Sequence, residues 1–291
     1  MAGPVKISFL DNSVAISSTA KFLISKGYDH ESVNLFCKVL NHYNSTPSDL
    51  DFNSFPKAEA GFYSFRSMTN LTALLRRPLI YVKHEPELNC FDFTSLLTAA
   101  SIKFKIKTNE LAGPFLVPYG TTNGDVKMEV ASTSDEAFKM ICPSWWAQVS
   151  GAVFSGRLQA QRMDFLAAFN SFNFIPSTTS RENLPKVLLK SLKLTWNRCG
   201  ISFPKQSKIV IFHSFWPQGR NALSTHSGLL FENDRQYVFL EKDGATGPYV
   251  RLDFENLNDL FIWYMAAIKP LADRGNITFA TFNDEVIYQM N

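Results

Sequence analysis

A chain of 291 residues that is 45% hydrophobic and 14% aromatic, with 26 phenylalanines, has ample material for a buried core and is excluded from the low-complexity and disordered classes. Its 29 basic and 26 acidic residues are interspersed and leave a net charge of +3, so no nucleic-acid partner is expected. Arg76-Arg77 and the run from Lys103 to Lys107 are short enough to read as solvated faces.

In chain order, the first third reads as helical. Ser13 to Lys26 places Val14, Ala20, Phe22, Leu23 and Ile24 at helical spacing and stops at Gly27. Asp29 is placed to cap a second helix whose apolar side is Val33, Leu35, Phe36, Val39 and Leu40. Ser45 to Asp49 signals a loop, and a third helix is expected over Thr69 to Leu75. Pro86 and Asn89 precede the apolar run Phe91 to Ala100, which predicts a helix with Cys90 in its first turn.

The middle is mixed. Strands are expected over Pro114 to Tyr119 and Val126 to Val130, and helices over Leu158 to Phe169 and Asn183 to Trp196. From Lys208 the pattern turns to strands: Ile209 to Phe212, then two more between Ser227 and Leu240. Glu255 to Ile268 predicts a last amphipathic helix, with terminal strands at Ile277 to Phe282 and Glu285 to Tyr288. Helices first and an antiparallel sheet later make an α+β protein.

Two segments carry chemistry. Between Thr225 and Glu241, two apolar runs flank Asn233-Asp234, residue types that tolerate a tight hairpin. A turn on those two residues puts Glu232 opposite Arg235, Gly228 opposite Phe239 and His226 opposite Glu241. At that separation a carboxylate reaches an imidazole nitrogen and fixes its tautomer, leaving the other nitrogen to take a proton. The plainer reading is an ordinary hairpin with a strand-end histidine and a rim carboxylate. Gly228, two residues along the same face, leaves room for a ligand or another backbone.

The four cysteines, Cys37, Cys90, Cys142 and Cys199, form no Cys-x-x-Cys pair, which excludes zinc-ribbon, redox and dense disulfide frameworks. Cys90 opens a helix, where free backbone N–H groups stabilise a thiolate and can hold the oxyanion of an attacked carbonyl. Cys37 lies in an amphipathic helix, Cys142 in a Pro-Trp-rich segment, and Cys199 near a helix C-terminus whose field opposes thiolate formation. Cys90 is therefore the expected nucleophile. No His-Glu-x-x-His spacing is present, so neither metal nor cofactor is expected.

Taken together, Asn89-Cys90, Thr225 to Leu230 and Phe239-Leu240-Glu241-Lys242 resemble a bacterial domain family of unknown function. That family is usually exported and is marked by Asn-Cys-Arg, His-Ala-Gly-Val-Leu and Val-Glu-Lys motifs. Ile7 to Asp11, Val39 to Asn44 and Gly247-Pro248-Tyr249 also look like it, so the likeness is expected over most of the chain. Phe91 stands where the family has Arg, and Ser227 where it has Ala. The order of Cys at a helix start, His on a strand and a polar residue on the next strand is also similar to NlpC-type papain-like peptidases.

That resemblance implies a papain-like core over residues 86–291 with a helical insertion around 134–198, and a helical region over 1–85 packed on it. It implies Cys90 as nucleophile, His226 as base and Glu241 as third member of a cysteine peptidase or amidase, or an acyltransferase. The implied substrate is a peptide, with peptidoglycan stem peptide leading, and the implied location is periplasmic or secreted. A monomer is expected. No integral membrane segment is expected, and Met1 to Leu10 lacks the basic and apolar regions of a signal peptide. The alternative is a non-catalytic envelope or binding module that keeps the fold.

Overall fold

The computed structural model describes residues 3–45, 55–75, 88–98, 101–105, 164–165, 168–169, 172–174, 180–216, 221–234, 236–243, 247–272 and 277–290. Nine antiparallel strands form one sheet: β1 (Val5–Ser8), β2 (Tyr63–Phe65), β3 (Phe172–Phe174), β4 (Lys208–Trp216), β5 (Asn221–Asn233), β6 (Gln236–Lys242), β7 (Tyr249–Phe254), β8 (Ile277–Phe282) and β9 (Glu285–Met290). Their order is β2-β1-β7-β6-β5-β4-β8-β9, with β3 added against β5. The helices are α1 (Ser13–Ser25), α2 (His30–Ser45), α3 (Met68–Leu75), α4 (Cys90–Thr98), α5 (Leu184–Cys199) and α6 (Leu257–Ala272).

Strand alternation divides the apolar side chains between two faces. Ile209, Ile211, Leu229, Phe231, Val238 and Leu240 turn to one cluster, shared with residues of α1, α2, α4 and α5. Val210, Phe212, Leu230, Phe239, Val250 and Leu252 turn to a second cluster, shared with α3 and α6. Helices therefore cover both faces of the sheet, and strands buried on both sides are apolar at consecutive positions rather than alternating.

The architecture is α+β; α1, α3, α4 and β8 fall within two residues of their expected bounds, while β4 runs four residues further, β5 begins six residues earlier and α6 ends four residues later than expected. Gly27 stops α1 with a φ of 84°, a conformation cheap only for glycine, and the Asp29 carboxylate accepts the Ser32 amide at 2.9 Å to start α2. The first third is not wholly helical, however. It also supplies β1, which sits between β2 and β7 with Lys6 paired to Asp253. A four-residue strand is too short to show a period in sequence.

β7 went unpredicted although Val250, Leu252 and Phe254 alternate as a strand should, because Arg251 and Asp253 broke its apolar appearance. These two pair with each other at 2.8 Å, and the Arg251 guanidinium lies against the Phe22 and Phe62 rings. The strands expected over Pro114 to Tyr119 and Val126 to Val130 lie outside the described residues, as do Cys142 and most of the 134–198 segment. Of the helix expected over Leu158 to Phe169, the described residues 164–165 and 168–169 are helical.

Candidate active site

The Asn89 side chain accepts the Asp92 amide at 2.8 Å, the Asp92 carboxylate accepts the Asn89 amide at 3.5 Å, and the Phe93 amide closes on the Asn89 carbonyl at 2.9 Å. This reciprocal cap makes Asn89 the N-cap of α4 and Cys90 its first residue. It occupies two of the helix's four unpaired amides. The amides of Cys90 and Phe91 take no acceptor among the described residues.

α4 is held on β5 by side chains one turn further along. Thr94 donates to the Cys90 carbonyl at 2.8 Å, so it accepts from the Ser227 hydroxyl, 3.0 Å away. Ser227, which stands where the resembled family carries Ala, thus bolts the Cys90 helix to the strand that carries His226.

The hairpin differs from its expected register. Asn233 pairs with Gln236, Glu232 with Tyr237, Leu230 with Phe239 and Gly228 with Glu241. The turn therefore begins at Asp234, which carries the positive φ of 54°, rather than at Asn233; Arg235 lies outside the described residues. Sliding the register by two leaves every side chain on its expected face. His226 accordingly faces Glu241 diagonally, just past the end of the β5–β6 ladder. Its Nε2 lies 2.6 Å from Oε2 of Glu241.

Gly228 does not open space for a ligand. A Cβ there would lie 2.4 Å from the Phe239 ring, so the glycine makes room for that ring.

Cys90 stands near enough to His226 for its charge and hydrogen bonding to act on the ring. Because Nε2 serves Glu241, Nδ1 is the nitrogen left for the sulfur. Cys90, His226 and Glu241 are thus in one chain of contacts, and all three are buried. Burial alone would lower the His226 pKa, but the charges and hydrogen bonds of Cys90 and Glu241 outweigh it and raise it to about 10. Both neighbours favour the cationic form of the ring.

Residues 159–287 match the DUF4300 family model, a domain of unknown function. No curated protein and no solved structure matches this chain. The DUF4300 match covers less than half of the chain: His226 and Glu241 fall inside it, Cys90 and the N-terminal motifs outside.

Sequence reasoning missed a fourth member of the site. The Trp263 indole of α6 donates to Oε1 of Glu241, the oxygen that His226 leaves free. The signal was a Trp-Tyr pair inside an otherwise apolar helix, since a buried indole N–H or phenol needs a polar partner. Trp263 and Glu241 are each 1% exposed, so the indole and the imidazole hold the carboxylate in a dry setting.

Burial raises the Cys37 thiol. Burial, and then Asp164, push Cys199 up to about 11 against a smaller opposing pull from Arg198. His213 is fully buried between Thr281 and Ser224 hydroxyls, and burial lowers it to about 3, so it stays neutral. Among the described residues, no three His, Cys, Asp or Glu gather closely enough to hold a metal ion. No described helix is long and apolar enough to cross a membrane.

Proposed function

We propose that the chain is a cysteine-dependent amide hydrolase or acyltransferase with a papain-like catalytic arrangement, in which Cys90 is the nucleophile, His226 the general base and acid, and Glu241 the residue that orients the imidazole. The carrying observation is that a histidine hydrogen-bonded to Glu241 at one nitrogen also meets the sulfur at the start of a capped helix. An imidazolium and a helix N-terminus both favour a thiolate over a thiol.

In the first step the Cys90 sulfur adds to an amide carbonyl and forms an S–C bond. The carbonyl π pair moves to oxygen, and the oxyanion is held by the Cys90 and Phe91 amides that the reciprocal cap leaves free. The C–N bond then breaks as His226 gives its proton to the departing amine. Water or an acceptor amine, losing a proton to His226, next attacks the thioester, and the S–C bond breaks to regenerate the thiolate and release an acid or a new amide. Peptides, with cell-wall stem peptides leading, are the substrate class to try first, on the strength of the motif resemblance.

Iodoacetamide labelling followed by peptide mass spectrometry tests the site without a known substrate. At near-neutral pH Cys90 should be alkylated much faster than Cys37 and Cys199. Equally slow labelling of all three would overturn the nucleophile and leave a binding module. On any amide substrate found, Cys90→Ala should abolish turnover, and undiminished turnover by the pure variant would reject the assignment.

A further inference from the structure

β4 and β5 do not pair evenly. Phe212 lies opposite His226, but the next residue, His213, lies opposite Ser224. Thr225 is the extra residue of a β-bulge, and it immediately precedes His226. A bulge bends its strand and re-aims the side chains beside it, so the direction of the His226 ring depends on how firmly this one is held.

The bulge is held by a hydroxyl chain. Thr225 Oγ1 donates to the Phe212 carbonyl at 3.1 Å, which leaves it to accept from the Tyr264 hydroxyl 2.7 Å away. Ser214 bonds the same phenol. The Tyr264 ring is fixed as well, stacked on Phe212 with centroids 3.7 Å apart and planes 11° apart, and Tyr264 is 4% exposed.

From this geometry we infer that Tyr264 is a positioning residue for the triad: its hydroxyl clamps the Thr225 bulge and so keeps the His226 ring aimed at Cys90. Trp263 and Tyr264, adjacent on α6, then support the base from two sides, one through Glu241 and one through the backbone. The inference rests on the thiol-enzyme reading above. Burial raises the phenol well beyond its ordinary range, so it stays a neutral donor wherever the enzyme is folded. The titratable groups facing His226 are Cys90 from α4, Glu241 from β6 and Tyr264 from α6.

The test is the pH profile of Cys90 alkylation by iodoacetamide in the full chain, for wild type, Tyr264→Phe, Thr225→Val, the double variant and Thr225→Ser. Tyr264→Phe and Thr225→Val should each slow labelling about tenfold at neutral pH and move the midpoint up by about one pH unit, the scale of one buried hydrogen bond. The double variant should lose less than the sum of the two single effects, because both delete the same Thr225–Tyr264 bond. Thr225→Ser, which keeps the hydroxyl, should retain the wild-type profile.

If Tyr264→Phe does not fold, Thr225→Val reports the bond from its other end. A folded variant of either kind with an unchanged profile overturns the inference. If wild-type Cys90 labels no faster than Cys37 and Cys199, the thiol-enzyme reading fails instead, and the two failures are separate in the data.

Discussion

Cys90 and Glu241 raise the pKa of the buried His226, and that makes stability depend on pH in a stated direction. Its folded value of about 10 lies above its ordinary 6.5. The stability it contributes is therefore whole below about pH 6.5 and is lost as pH rises through about 10. Glu241→Gln removes the carboxylate, so the fall in melting temperature over that window should be shallower in the variant than in the wild type. Parallel curves would refute the ion pair. The three residues of this chain were legible individually: Cys90 by its place at a helix start, His226 and Glu241 by sharing a hairpin face. Their exact facing was not, because Asn233 and Asp234 are both good turn formers and only backbone geometry decides which one takes positive φ. Trp263 and Tyr264 were passed over for a different reason. A helix read only for its apolar face does not say what its polar tips touch.

At the scale of the element, the β5–β6 hairpin depends on a missing side chain. Gly228→Ala would drive a Cβ into the Phe239 ring and against the Leu240 carbonyl, at 2.4 and 2.8 Å. We expect a loss of about 1–3 kcal/mol by denaturant titration, the cost of overpacking a core. Phe239→Leu should relieve part of it, so the double variant should be more stable than the sum of the two losses predicts. Independent, additive losses would show that the ring contact is not the reason for the glycine. The start of α4 was readable from Pro86 and Asn89 ahead of an apolar run, whereas the reciprocal partner Asp92 was not singled out. β1 and β7 were missed, the one for its brevity and the other for its internal Arg251–Asp253 pair.

For the whole molecule, the sheet ties the start of the chain to its later part. β1 lies between β2 and β7, and Ile7 is fully buried in the cluster beneath α3 and α6. Ile7→Asp buries an unpaired carboxylate there and should cost about 4 kcal/mol or more. Rapid Cys90 alkylation should disappear in the same transition that melts the sheet, as one cooperative unit requires. A reactive Cys90 surviving in an otherwise wild-type-like core would show the N-terminal strand to be dispensable. The pairing of Lys6 with Asp253 has a consequence during biosynthesis. β1 finds its β7 neighbour only after some 250 further residues have been translated. Until then β1 keeps an open edge on β7's side, a template on which a wrong strand can pair.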